Sequence, residues 1–207
     1  MNKEYRTISD EIVSFSKTIE RSRFIGYAKK VTTAEEALTF IAQLKQQCYD
    51  STHVCYAFVT DESVRYSDDG EPQGTAGMPI LDVITKQKLC KLCVAVVRYY
   101  GGIKLGAGGL TRAYGGTAVD TLNQAQRVLV KYCNQYSIIL PYALVKTAQK
   151  LCERYGKVDN IEYGEFIKIN VTVTATKDDF IERVVDETNG KITPIFEKVA
   201  EVESIEN

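Results

Sequence analysis

One stretch of the chain combines glycines and basic residues in a way that suits binding of a negatively charged group. Ten of the 14 glycines lie in residues 67–77 and 98–116. Backbone N–H groups of successive glycine-rich turns can form a nest for an anion, and the helix predicted to follow the second stretch adds N–H groups at its start. The predicted site for phosphate or for a partner's carboxylates consists of Arg98, Lys104, Gly106, Gly108, Gly109 and Arg112.

A structural role is the alternative for the same glycines, since glycine also lets a helix pack closely against a sheet. Known nucleotide-binding motifs do not fit the stretch. A Walker loop needs a lysine before its Ser or Thr, but Leu110 precedes Thr111. The dinucleotide fingerprint needs a third glycine where Thr111 stands. The sequence therefore predicts no nucleotide cofactor.

A second candidate site combines His53 with the acidic loop that contains Asp69 and Glu71. A histidine beside carboxylates can transfer protons or hold a metal ion. The alternative is structural, because Asp-Asp-Gly is common in turns and a histidine at a strand start often makes only hydrogen bonds. Ser67 lacks the frame of a nucleophile elbow. The sequence thus leaves enzymatic activity uncertain, with a non-enzymatic role favoured.

Cysteine spacing gives little support for a metal centre. Cys90 and Cys93 have the C-x-x-C spacing, but a second pair is absent from the sequence and His53 is its one histidine. A structural zinc site needs four ligands, so no metal is predicted. The six cysteines lie in segments that resemble core, as reduced buried thiols do. No run of 18 apolar residues occurs, and we expect a cytoplasmic protein without a membrane partner.

Charge is unevenly distributed although the formal net charge is −1. Residues 83–119 contain six basic residues and no acidic one, whereas residues 178–207 contain nine acidic residues and three basic ones. A basic region of this kind attracts phosphate groups, while a solvated surface is the alternative for scattered lysines.

Hydrophobic periodicity predicts the elements that must position these residues. Thr33 and Glu36 form a capping box at the start of the first helix. Predicted strands cover residues 11–18, 22–31, 53–60, 92–100 and 135–140, two strands flanking 163–165, and 192–202. Predicted helices cover residues 33–48, 75–87, 110–125, 142–155 and 178–188. The order after residue 135 is β-α-β-β-α-β, which is typical of a ferredoxin-like unit.

Four motifs resemble the IMPACT/YigZ family. They are RSRFI from Arg21, HVCYAF from His53, SDDGEPQGTAGMPIL from Ser67 and VVRYYGGIKLGAGGLTRAYGG from Val96. They occur in the expected order across about residues 17–125, and the last two are long and unusual. Met78 stands where the family pattern has lysine, so no charge-based role is carried over to that position.

The resemblance implies a two-domain α+β fold. Residues 1–134 would form an IMPACT-type N-terminal domain, an α/β sandwich similar to the second domain of ribosomal protein S-five. Residues 135–207 would form a ferredoxin-like domain similar to the fifth domain of elongation factor G. Eukaryotic relatives regulate translation by protein binding in the amino-acid-starvation pathway. The bacterial-type second domain differs from their partner-binding module, so that partner is not expected here.

We therefore expect a non-enzymatic, translation-linked regulator that binds RNA, the ribosome or a translation factor. Two alternatives stay open. One is a small-substrate hydrolase that uses His53 with Asp69 or Glu71, and the other is a protein-interaction module that uses the exposed sheet face of the second domain. Phosphate contacts would make affinity fall steeply with salt.

Overall fold

The computed structural model describes residues 4–174 and 177–206, and this part of the chain divides into two α/β units. One unit contains residues 4–129 and 204–206, and the other contains residues 130–203. The strands are β1 (Glu4–Ile8), β2 (Val13–Ile19), β3 (Ser22–Lys30), β4 (His53–Val59), β5 (Val64–Ser67), β6 (Leu92–Tyr99), β7 (Arg127–Leu140), β8 (Gly156–Tyr163), β9 (Ile167–Val173) and β10 (Ile195–Ile205). The α-helices are α1 (Ala34–Gln47), α2 (Gly77–Lys86), α3 (Gly106–Gln124), α4 (Val145–Tyr155) and α5 (Lys177–Glu187).

The first unit is built on an antiparallel sheet in the order β2-β3-β6-β4-β5. Seven of the eight residues of β6 are buried, because helices cover both faces of this central strand. Leu92, Val94 and Val96 pack in one core cluster with α2 and α3, while Cys93, Ala95 and Val97 pack in another with α1. The continuous apolar run of β6 reflects this two-sided burial.

The helices of the first unit begin where the sequence offers specific signals. Thr33 caps α1 by accepting a hydrogen bond from the Glu36 N–H at 3.2 Å, as the capping-box pattern predicts. Pro79 is tolerated because it lies in the first turn of α2, where an N–H would have no intrahelical partner. This turn explains how α2 forms despite its proline.

The start of α3 differs from the sequence expectation. Gly106, Gly108 and Gly109 belong to the first turn of the helix, whereas the sequence placed them in a loop before Leu110. Their low helix propensity favoured a loop, but packing of the later turns against β2 and β3 stabilises the helix as a whole. The free N–H groups at the start of α3 are therefore those of the glycine segment itself.

The second unit has the order β7-α4-β8-β9-α5-β10. Strand β9 pairs with β7 and β8 in antiparallel register, and β10 pairs with β7 on its other side. Tyr136, Ile138, Ile169, Leu151 and Phe180 belong to a separate core cluster. The division between the units falls within β7, which begins at Arg127, eight residues earlier than the predicted strand.

Two short strands, β1 and β5, were missed by the sequence patterns. Strand β1 has one buried pair, Thr7 and Ile8, at its end, and β5 is exposed along most of its length, so neither shows clear alternation. No helix in the described part of the chain combines the length and apolar character that crossing a membrane requires. The first three residues of the chain, 1–3, are outside that part.

Candidate functional site

A pocket of about 410 Å³ lies where the β2–β3 turn, the loop after β6 and the start of α3 meet. Lys104, Gly109 and Arg112, three of the predicted anion-site residues, line it. The remaining lining residues are Ile19, Glu20, Ile103, Leu105 and Ala113. The pocket thus combines apolar walls with both signs of charge.

The charged groups of the pocket have no partner among the residues that the structure describes. Lys104 and Arg112 are exposed, and within the described chain neither forms a hydrogen bond or an ion pair. The same is true of Glu20, which lines the pocket with them. Opposite charges that share a pocket without pairing leave their hydrogen-bonding capacity to solvent or to a ligand.

Some of the glycines allow close packing of the backbone, and others leave the backbone open to solvent or to a ligand. Gly102 and Gly106 have φ angles of 86° and 69°, and a side chain at either position would meet nothing within 4 Å. A Cβ at Gly101 would instead lie 2.0 Å from the carbonyl oxygen of Arg21, and one at Gly77 would lie 2.7 Å from the backbone of Ser67. Gly101 and Gly77 therefore serve close packing, whereas Gly102 and Gly106 present open backbone.

Arg98 does not line the pocket that contains Lys104 and Arg112. It is 5% exposed, and its Nη1 donates to Oε1 of the buried Glu71 at 2.6 Å. Its guanidinium also lies over the rings of Phe24 and Tyr100, at 5.4 and 5.3 Å from their centroids. The sequence expectation that Arg98 contacts phosphate is thus corrected, because Glu71 already neutralises its charge inside the fold.

Glu71 is the centre of a buried polar network that also includes residues absent from the predicted site. Tyr114 on α3 donates to the same Oε1 atom at 2.7 Å, and Arg98 Nη2 donates to Ser22 Oγ at 3.3 Å. Burial and the neighbouring Cys55 and Glu71 raise the pKa of Tyr114 well above its usual value, so the phenol stays a donor. Tyr114 lies within the long family motif that begins at Val96, but its helical position predicted only a core side chain and not a hydrogen bond to Glu71.

The structure brings His53, Asp69 and Glu71 together but does not give them the geometry of an acid–base site. His53 Nδ1 donates to the backbone carbonyl of Asp69 at 2.7 Å, and its Nε2 lies 3.9 Å from Glu71 Oε1, beyond hydrogen-bond reach. Asp69 accepts from the Val54 N–H at 2.7 Å and pairs with Lys45 at 2.5 Å. This arrangement does not support the hydrolase alternative.

The third carboxylate of the acidic loop caps a helix. Asp68 Oδ1 accepts from the N–H groups of Ala76 and Gly77 at 3.0 and 2.8 Å, and Oδ2 accepts from Gly74 at 2.8 Å. Burial acts to raise the pKa of Asp68, but these three backbone donors outweigh it and lower the pKa. Asp68 therefore supplies the cap that Ala76, the residue before α2, cannot provide.

The cysteines have the character of core residues. Cys55 lies in the network around Glu71, and burial raises the pKa of its thiol to about 12. Burial also raises the pKa of Cys93 to about 12, while Cys90 is half-buried. Such thiols are poor nucleophiles and poor metal ligands near neutral pH. Among the described residues, no cluster of three His, Cys, Asp or Glu could hold a metal ion.

Comparisons with known proteins agree on one family. A family model described as the Impact N-terminal domain matches residues 20–122. The chain is 40% identical over 178 residues to the IMPACT family member YvyE of Bacillus subtilis, covering 84% of this chain and 82% of that protein. It is 32% identical over 189 residues to the IMPACT family member YigZ of Escherichia coli, covering 87% of this chain and 92% of that protein.

A solved structure extends the likeness to almost the whole chain. It is described as the crystal structure of a hypothetical protein, is 29% identical in sequence and superposes with a TM-score of 0.63. The match covers 96% of this chain and 99% of that chain. Both α/β units thus have counterparts in that protein.

Proposed function

Because the chain belongs to the IMPACT family, we propose that it is a non-enzymatic regulator of translation that binds RNA through the pocket beside α3. The observation that carries this proposal is a pair of exposed cations in the pocket wall, Lys104 and Arg112, which pair with no other residue in the described part of the chain. The ribosome and a translation factor are the other partners that the family resemblance suggests. Phosphate-rich RNA is favoured because the pocket's free cations are complementary to it.

The pocket gives an anion two kinds of contact. Lys104 and Arg112 supply full charges, and the first turn of α3 supplies backbone N–H groups that have no intrahelical partner. The dipole of a 19-residue helix adds partial positive charge at the same end. Gly109 is the glycine of this first turn that lines the pocket, whereas Gly106 and Gly108 are not part of its lining.

The test is RNA affinity measured as a function of salt. We expect an unstructured RNA 10-mer to bind with log K falling linearly against log salt concentration, by about 0.7 for each phosphate contacted. The double variant Lys104→Ala/Arg112→Ala should reduce the magnitude of this slope by about 1.4. Fluorescence anisotropy between 50 and 500 mM salt would measure both quantities.

A matched control separates the pocket from general charge. Lys146 and Lys150 are exposed on the second unit, and Lys146→Ala/Lys150→Ala removes the same charge without touching the pocket. This control should keep the wild-type slope. Salt-independent binding, an unchanged slope in the pocket variant, or capture of the protein by ribosomes at high salt without affinity for free RNA would overturn the proposal.

We also propose specific fold assignments and boundaries for the two domains. The strand order β10-β7-β9-β8 and the element order of the second unit support a ferredoxin-like domain similar to the fifth domain of elongation factor G. The layers of the first unit support an α/β sandwich similar to the second domain of ribosomal protein S-five. We propose residues 1–134 and 135–207 as the two domains, and a cytoplasmic role in the response to stress.

A protein-interaction function is the second candidate, and one observation favours it. Ile195 and Val199 on β10 are 51% and 55% exposed, and apolar side chains exposed together on one element are a feature of protein-interaction surfaces. A protein partner that covers them would be retained after nuclease treatment and at high salt. Loss of that partner in Ile195→Lys, with RNA affinity unchanged, would assign protein binding to β10.

A further inference from the structure

The pocket beside α3 contains one feature that binding to phosphate alone does not require, namely the carboxylate of Glu20. Glu20 and Arg21 form the two-residue turn between the paired residues Ile19 and Ser22. Both turn residues have positive φ, at 44° and 61°, where glycine or asparagine would be less strained. A negative charge at this place weakens attraction to a phosphate backbone, so its role should lie with another part of the ligand.

The turn that carries Glu20 is held firmly in place. The carbonyl oxygen of Arg21 packs so closely on Gly101 that a Cβ there would lie 2.0 Å away. Ser22 Oγ accepts hydrogen bonds from the Gly101 N–H at 3.2 Å and from Arg98 Nη2 at 3.3 Å. The backbone of Glu20 is therefore fixed relative to the loop that carries Lys104, and its unpaired side chain lines the same pocket.

The pocket thus has three chemically distinct parts. Lys104 and Arg112 suit a phosphate, Ile103 and Leu105 offer apolar surface to a flat ring, and Glu20 accepts hydrogen bonds. The volume of about 410 Å³ is at the small end for ligand pockets, which suits one nucleotide unit rather than a duplex. Unpaired bases of single-stranded RNA are the usual targets of sequence-specific recognition.

We propose that this pocket selects a single unpaired guanine nucleotide within RNA, with Glu20 as the residue that determines specificity. The Watson–Crick edge of guanine presents two adjacent N–H donors, N1–H and N2–H, which match the two oxygens of a carboxylate. Uracil presents one donor on that edge. This inference rests on the RNA-binding function proposed above, because it uses the same pocket and the same cations.

The experiment compares two RNA 10-mers, one of uridines only and one with a single central guanosine. A bidentate contact of this kind discriminates by about tenfold or more, so the wild type should bind the guanosine-containing strand at least about tenfold more tightly. Glu20→Gln should remove this preference, because the amide keeps one acceptor and adds a donor. The same variant should bind the all-uridine strand more tightly than the wild type does, since a charge that repels phosphate is gone.

Controls separate this inference from the function on which it rests. Glu11→Gln removes an exposed carboxylate outside the pocket and should keep the preference for guanosine. The salt slope of Glu20→Gln should match that of the wild type, because no cation–phosphate contact is lost. A merely structural role of Glu20 would weaken both strands equally and would not raise affinity for the uridine strand.

Three results would overturn the inference. Salt-dependent binding without preference for guanosine would refute guanine selection while leaving RNA binding intact. Retained preference in Glu20→Gln would refute the role of Glu20. Binding of free guanosine monophosphate as tight as that of the guanosine-containing strand would identify a mononucleotide as the ligand instead. Absence of RNA binding by the wild type would refute the proposed function itself.

Discussion

Glu71 and Arg98 form a buried ion pair in which Nη1 and Oε1 lie 2.6 Å apart, although 27 residues separate them in the chain. Tyr114 donates to the same carboxylate oxygen at 2.7 Å. One oxygen atom therefore joins the acidic loop, the central strand β6 and the helix α3. Strand β6 leads into the loop that lines the pocket and α3 begins at its wall, so the pair stabilises the surroundings of the site without lining it.

Removing one partner of this pair should strongly destabilise the fold. Arg98→Ala leaves the Glu71 carboxylate buried without its counter-charge, and such changes lower the free energy of unfolding by about 3–5 kcal/mol. Urea denaturation followed by circular dichroism would measure the loss. The double variant Glu71→Gln/Arg98→Met should be markedly more stable than Arg98→Ala, and equal stability of the two would contradict the electrostatic explanation.

Two glycines in the first turn of α3, Gly106 and Gly108, should respond oppositely to replacement by alanine. Gly106 has a φ of 69°, so Gly106→Ala should lower the free energy of unfolding by about 1–2 kcal/mol. A Cβ at Gly108 would meet only Arg112 Nη1 at 3.7 Å, so Gly108→Ala should raise it by about 0.5–1 kcal/mol through helix propensity. Thermal unfolding of both variants measures the sign of each stability change. A change of the same sign in both variants would contradict the backbone geometry at Gly106 and Gly108.

Asp68 should contribute stability that depends on pH. Its pKa is lowered in the folded protein, so its contribution is complete above the unfolded pKa of about 3.9 and is lost as pH falls through the lower folded value. At pH 7, Asp68→Asn should lower the free energy of unfolding by about 1 kcal/mol, and the difference from wild type should shrink below about pH 4.

Urea titrations across this pH range test the prediction for Asp68. Asp82→Asn is the matched control. Asp82 is exposed on α2, the helix that Asp68 caps, and it forms no hydrogen bond or ion pair among the described residues. The control should change stability little at any pH. A pH-independent difference between Asp68→Asn and the wild type would show that the charge of Asp68 is not what stabilises the loop.

The cysteines should differ in their reactivity toward alkylating reagents. Cys90 is half-buried, whereas the other five are buried, and burial raises the pKa of Cys55 and of Cys93 to about 12. Iodoacetamide at pH 8 should therefore modify Cys90 first, as mass spectrometry of the native protein would detect. Because burial also raises the pKa of Cys90, its rate should still increase with pH. Early labelling of Cys55 would contradict its position in the network.

Local sequence patterns determined most of the helices and strands. Periodicity and the capping box at Thr33 gave α1 close to its observed bounds, and the apolar run of β6 identified the central strand. These features are local, so they can be read without knowing what packs on them. The family resemblance, carried by long motifs, is confirmed by the comparisons. The grouping of Lys104 with Arg112 was also foreseeable, since eight residues separate them across the start of one helix.

Tertiary structure alone decided which charged residues are free. Arg98, Lys104 and Arg112 are equivalent in the sequence as cations beside glycines, but burial pairs Arg98 with Glu71 and leaves the other two exposed. The sequence also could not predict that Glu20 lines the pocket. Glu20 lies in the turn between the paired strands β2 and β3, and other residues of the pocket are more than 80 positions away in the chain. The sequence determines which side chains are charged. Only the tertiary structure determines whether a charged side chain already has a partner of opposite charge.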